Sequence, residues 1–354
     1  MNVGDIPMVL FTVITQMCVG AFVTLGLIQV LASLRHDQDT VERLTHPVLY
    51  AIGPAMVLGL AVSTLHMHDP FHALNVIRHW GSSWLSREIL FGCSFAGAGF
   101  LFALLEWFHA GSFALRRALA VLTALLGIGL IVAESMIYYT LTTVPAWHTW
   151  AVPLHFAGTT IILGSLCVAC ALMITVLVRR RTQLRTTTDT TTTDTGADTD
   201  TTTDTGADAD TDATNGSRLS TQVRTRVQQI NAPTTPTEWA LTTRIIQWCA
   251  VTAAITGAVL LASYPPYLQT INAAGTTGQE ALHAFTGPLL ILRLTLLAAA
   301  VLLLGFFVHR TAGTALQDHP TLLARLITTT FILATAGELI ARNMHYSALI
   351  RVGI

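Results

Sequence analysis

Lysine is absent from this sequence: all nineteen basic residues among its 354 are arginine. Charge of either sign is scarce, at 11% of residues, where a soluble domain carries roughly 25%. Combined with 52% hydrophobic residues, that scarcity excludes an ordinary soluble domain and points to a membrane protein. The acidic residues are also unevenly placed. Eight of the twenty fall between Asp189 and Asp212, which leaves the apolar segments nearly bare. A formal net charge of −1, with no basic stripe carrying interleaved aromatics, excludes a nucleic-acid-binding surface.

Cysteine is sparse too. Cys18, Cys93, Cys167, Cys170 and Cys249 all lie in apolar runs, where a thiol behaves as a small hydrophobe. The Cys167-x-x-Cys170 spacing resembles a redox or metal pair, but it lacks the other two ligands of a structural zinc site. The first twenty residues have no basic n-region and carry Asp5, so they read as a retained first helix and not as a cleaved signal.

Long apolar runs are what the sequence has in abundance. Crossing a hydrocarbon core of about 30 Å takes roughly 20 apolar residues in a helix. Runs of that size fall at 8–34, 46–66, 85–109, 113–138, 148–178, 239–264, 281–309 and 319–346. Their continuity excludes the alternating pattern of barrel strands, so the expected fold is all-α and membrane-spanning, with about eight transmembrane helices in two bundles. Residues 1–178 form a first membrane region of five helices, and 238–354 a second of three. Between them, 179–237 reads as a disordered linker: the tandem decapeptides TTTDTGADTD and TTTDTGADAD contain no side chain large enough to build a core.

Arginine placement predicts the orientation, because basic residues near helix ends favour the cytoplasmic side. Arg35, Arg43, Arg116, Arg117, the Arg179–Arg181 cluster with Arg185, and Arg310 lie in odd-numbered connections, whereas the even ones hold fewer. Both termini, and the connection at 65–91, are therefore expected outside the cytoplasm. That connection, LHMHDPFHALNVIRHWGSSWLSREILF, is dense in histidine, arginine and tryptophan between two apolar runs, and joining two helices requires none of these.

Ionisable groups at membrane depth cost about 2.5 to 3.5 kcal/mol each on insertion scales, so they need a reason to be there. Glu88, Glu134, Arg293, Glu338, Arg342, His66, His155 and His283 all fall toward the outer helix ends. Glu338 and Arg342 have i, i+4 spacing with the acid first, which suits a structural ion pair on one helix face. Glu106 and His109, at the opposite end of the third helix, read with Trp107 as an interfacial anchor.

Glu88 differs. Its neighbour Arg87 points about 100° away around the helix, and the face above it runs through Phe91, Gly92, Phe95 and Gly99, offering ring surface and room for a flat headgroup. A carboxylate at a helix end, with His66 closing the preceding helix, suits the removal of protons from a hydroquinone. Simple anchoring of both residues at the interface is the competing reading. His68, His72 and His79 lie in the loop as solvated side chains, and His66-x-His68-Asp69 lacks further ligands for a metal site. The remaining histidines lie in or beside loops, or in the outer group, so the sequence favours a protein without haem.

Four segments carry a resemblance: PMVLFTVITQMCVGAF, STLHMHDPFHALNVIRHWGSSWLSREIL, MIYYTLTTVPAWHTWAVPLHF and GELIARNMHYSALIRVGI. On these the chain resembles the DmsC family, the membrane anchor subunits of dimethyl sulfoxide reductases, over most of both membrane regions. The resemblance implies a haem-free subunit of the cytoplasmic membrane that oxidises menaquinol and passes electrons to an iron-sulfur subunit, which serves a molybdopterin catalytic subunit. It assigns the quinol chemistry to His66 and Glu88. Arg87, Phe91, Gly92, Glu134 and Arg293 complete the expected quinol-binding set, and no metal site is expected in this protein. His68, His72, Ala341 and His345 depart from residues frequent in the family, as does the long Thr/Asp linker. A passive structural anchor, or a small-solute transporter suggested by Gly287-Pro288 beside Arg293, are the alternatives.

Overall fold

The computed structural model describes residues 6–64, 79–193, 225, 228, 232–310 and 318–350. Among them there are helices and no strands. Helices α1 (Ile6–Ser33), α2 (Gln38–Thr64), α3 (Trp84–Phe108), α4 (Phe113–Tyr139), α5 (Ala151–Thr193) and α6 (Pro236–Asn272) are followed by a short α7 (Gly275–Leu282). Then come α8 (Pro288–Leu302), extended by a π-helical turn over Leu303–Val308, and α9 (Pro320–Ser347). Eight of these are long and apolar enough to cross a membrane, as the runs predicted.

Helix starts follow local chemistry. Ser83 and Ser112 cap α3 and α4 by accepting the backbone N–H groups of Ser86 and Leu115. Thr235 and Glu238 form a reciprocal capping box on α6, with Pro236 in the first turn, where its missing donor costs nothing. Asp37 accepts from both the Thr40 N–H and hydroxyl at the head of α2, and these bonds hold its carboxyl below the usual carboxylate range.

Two boundaries differ from the expected ones. The run at 281–309 is not one helix. Gly287, at φ 98°, takes a backbone conformation that favours glycine, and Pro288 begins the spanning helix there, leaving α7 and a 3₁₀ turn at His283–Phe285 as a separate cap. Helix α5 also runs on past 178 to Thr193, because no glycine or proline interrupts 179–193. The repeat beyond Thr193, like most of the expected linker, lies outside the described residues.

Helix α1 is central and packs against α2, α4, α5 and α9. Its approach to α5 is backbone on backbone: Gly20 faces Thr160 and Gly164, and a methyl group at Gly20 would run into the Thr160 carbonyl. Because α5 packs on α1 and also on α6 and α9, it belongs to both bundles, and the linker does not mark the packing boundary. The periphery is apolar in the manner of a lipid-facing surface, with Phe100, Ile291 and Leu302 each about two-thirds exposed.

A buried latch joins the two regions. Glu238, at the start of α6, lies 3.1 Å from Arg43 Nε and 3.9 Å from Arg179 Nη1. Arg179 donates to the Arg43 carbonyl at 2.7 Å, and Arg43 donates to the carbonyls of Ala232 and Pro233. Replacing Glu238 with Ala removes the cap and leaves the buried Arg179 without its carboxylate, so unfolding of the detergent-solubilised protein should become easier by about 3 kcal/mol. Glu238→Gln retains the capping acceptor and should lose about 1 kcal/mol less. Equal melting temperatures for the unaltered protein and both variants would show that the latch contributes nothing.

Candidate functional site

The polar centre of the fold begins at Gln16, a fully buried amide in the apolar middle of α1. Its Nε2 donates to Glu134 Oε2 on α4 at 2.9 Å, and its Oε1 accepts from Arg342 Nη2 on α9 at 2.8 Å. One amide thus ties the first bundle to the second. Around it, Tyr346 donates to Thr12 at 3.3 Å, the Tyr138 and Tyr346 hydroxyls meet at 3.4 Å, and Trp147 Nε1 donates to the His345 carbonyl at 2.7 Å. Three of the four segments that carry the family resemblance therefore meet at this point. Gln16 is absent from the expected site, although the sequence carries a signal for it: an amide at membrane depth needs partners.

Glu88 is buried one turn into α3, and Glu134 is buried in the last turns of α4. Glu134 has no exposure, and its Oε1 has no hydrogen-bond partner among the described residues. The two carboxylates sit at the same end of the antiparallel α3–α4 pair, where α2 also ends. His66 and the stretch up to 78 lie outside the described residues.

The room expected on the face above Glu88 is taken by protein. Gly92 faces Leu130, Gly99 faces Thr123, and the Phe91 ring packs on Gly129, all of α4. Phe95 is buried edge-on against Phe22, with ring centroids 5.8 Å apart. Glycines at 92 and 99 here permit helix contact and do not open a slot. Arg87 turns away from Glu88: it donates to the carbonyls of Trp80 and Gly81 at 2.9 and 2.7 Å and stacks on Trp84, fixing the turn before α3.

Arg293 and Glu338 form a second centre. Their side chains pair at 3.3 Å between α8 and α9, and Thr159 donates to the other Glu338 oxygen at 2.7 Å. The expected pair within α9 gives way to this arrangement, because Arg342 is drawn to Gln16 and lies over the Phe156 ring at 3.6 Å. Arg293 lies over Tyr264 at 4.5 Å. A cavity of about 20 Å³ opens among His155, Tyr264, Arg293, Glu338, Arg342 and His345. Arg293 therefore lines this cavity.

At the far end of α3, Glu106 is buried and does not serve as a surface anchor. It takes Arg116 at 3.0 Å and His46 at 3.3 Å, while Trp107 packs edge-on against Tyr50. Glu42, His46 and Glu106 bring three potential metal-binding atoms within 4.8 Å of one another. Arg116 already supplies positive charge at the same Glu106 oxygen, so the group closes as an ion-pair network. His109 caps α3 in the left-handed conformation at φ 49°.

Eight spanning helices with ionisable side chains gathered inside two bundles define an integral membrane protein built around a buried polar core. The protein belongs to the DMSO reductase anchor subunit (DmsC) family, whose profile matches residues 1–205. It is 31% identical over 180 residues to the C component of the anaerobic dimethyl sulfoxide reductase of Haemophilus influenzae, covering 49% of this protein and 61% of that one. The Escherichia coli K12 protein of the same description is 29% identical over 150 residues, 42% of this protein and 51% of its own length. The C component of the sulfite dehydrogenase of Allochromatium vinosum is 32% identical over 115 residues, covering 28% of this protein and 35% of that one. The protein thus matches between about a third and three-fifths of the length of these relatives.

Gln16→Leu leaves a buried carboxylate oxygen and a guanidinium N–H without partners, and should cost about 3 kcal/mol of stability in denaturant unfolding. Combined with Arg342→Met, the loss should be smaller than the sum of the single losses, because both remove one interaction. Strict additivity would show that the amide bridge is not a shared interaction.

Proposed function

We propose that this protein is the cytoplasmic-membrane anchor of a molybdopterin-dependent reductase of the dimethyl sulfoxide type, and that it oxidises menaquinol beside Glu88. Oxidation of the quinol yields the quinone, two protons and two electrons. The electrons leave to an iron-sulfur cluster of a partner subunit, which feeds the molybdopterin subunit. The protons need bases at the headgroup, and Glu88 takes the first, with His66 assisting at the other oxygen.

The observation that carries this reading is the pair of buried carboxylates, Glu88 and Glu134, at the same end of the α3–α4 hairpin, the end that leads into 65–91. Family membership supports the anchoring role. The packed α3–α4 face favours a headgroup at the opening of α3, around Glu88, and not along Phe91 and Gly92. Arg35, Arg43, Arg116, Arg117 and Arg310 gather at the other end, which favours that end as cytoplasmic and both termini as outside. Protons would then leave on the outer side, where Arg87, Trp80 and Trp84 form a rim for the iron-sulfur partner.

Glu88→Gln keeps the size and polarity of the side chain and removes the base. The complex with its partner subunits should still assemble on the membrane, while menaquinol oxidation falls by about 100-fold or more. Assembly with an unchanged rate would reduce the protein to a passive anchor.

A further inference from the structure

The cavity among α5, α6, α8 and α9 is bordered by buried guanidinium donors that nothing among the described residues satisfies. Arg293 is fully buried, and its Nε and Nη1 have no hydrogen-bond partner there. Arg342 Nε and His345 Nε2, both buried on the same cavity wall, are without partners as well. Such groups pay a desolvation penalty of about 1 to 3 kcal/mol each, and more when charged, unless a ligand accepts from them. The one lining carboxylate cannot serve all of them. Glu338 already accepts from Arg293 Nη2 on one oxygen and from Thr159 on the other.

The charge leads to the same ligand class. Two guanidiniums and one carboxylate line the cavity, leaving one positive charge in a site walled by aromatic rings and apolar helix faces. Arginine does not relieve this by deprotonating. Glu134 lies beyond the whole Gln16 amide, and that bridge occupies only Arg342 Nη2. A ligand that closes the balance is monovalent, negative, acceptor-only and small, since about 20 Å³ has room for a body little larger than a water molecule.

We propose that this cavity is a binding site for a small monovalent anion of the halide class, held between Arg293 and Arg342 with His345 donating from Nε2. The site is separate from the carboxylates proposed to meet quinol, and it stands whether or not this protein oxidises one. Its occupant replaces a missing counter-charge and so fixes α8 and α9 against α5.

The test uses the full-length protein purified in detergent, with melting temperature followed in sodium chloride, sodium bromide and sodium gluconate at matched ionic strength. Chloride and bromide should raise the melting temperature along a saturating curve, and gluconate, too large for the cavity, should not. Crystals grown with bromide should show an anomalous peak between Arg293 and Arg342. Ala341→Leu, which fills the cavity while keeping both arginines, should abolish the halide-dependent rise. Equal curves in halide and gluconate, or water without bromide in the cavity of the unaltered protein, would overturn the proposal, and the bromide measurement decides even if the Leu variant fails to fold.

Discussion

A guanidinium buried in a membrane bundle has no neutral form to retreat to, and most of this fold is arranged around that constraint. Arg179, Arg293 and Arg342 are nearly or fully buried, and each is met differently. Arg179 is fixed by Glu238 and by the Arg43 carbonyl, across the joint between the two regions. Arg293 has a direct carboxylate partner in Glu338, reached across helices. Arg342 is joined to Glu134 through the Gln16 amide. Each guanidinium is tied to at least one other helix, so the charges that are costly to bury also specify which helices meet.

The glycine contact acts in the opposite sense. Arginines bridge gaps with long side chains, whereas Gly20 and Gly164 remove side chains so that α1 and α5 touch through their backbones. With no hydrophobic drive between helices in lipid, such close packing and the polar links supply the association. Gln16 lies one turn before Gly20, so the amide bridge is held at a point where helix separation is already set. A looser contact there would lengthen both bonds of Gln16 together.

The spans and fold class were legible in the sequence because a continuous apolar run has one physical outcome in lipid. Glu88, Glu134, Arg293, Glu338 and Arg342 were legible as outliers, since charge in such runs is rare. Their partners were not. An i, i+4 rule pairs Glu338 with Arg342, but it cannot weigh Arg293, 45 residues away in the chain, against it. Gly92 and Gly99 read as open space, though a glycine on a spanning helix marks space that either a ligand or another helix can fill, and α4 fills it here. Gln16 is hard to see because one uncharged amide barely alters the hydropathy of its run, and its importance lies in what it joins. The break at Gly287-Pro288 is written in residue types but hidden by the apolar residues around it.

The orientation of the Gln16 amide constrains the chemistry further. Arg342 can only donate, so it must meet the amide oxygen, and the amide nitrogen must then face Glu134. Glu134 Oε2 is thereby held as an acceptor, and a proton taken up by this side chain must settle on Oε1, the oxygen without a partner among the described residues. In the proposed reaction this gives the two carboxylates unequal parts. Glu88 lies at the opening of α3, where the quinol headgroup is proposed to bind, while Glu134 is tethered from behind by a charge that never leaves. A proton moving between them has one oxygen of Glu134 to land on and, with Gln16 holding the other, no path onward through the amide toward Arg342. The bridge that joins the two bundles mechanically therefore separates them for protons, which keeps the proposed quinol chemistry in the first bundle and leaves the arginine-lined cavity of the second to be balanced on its own terms.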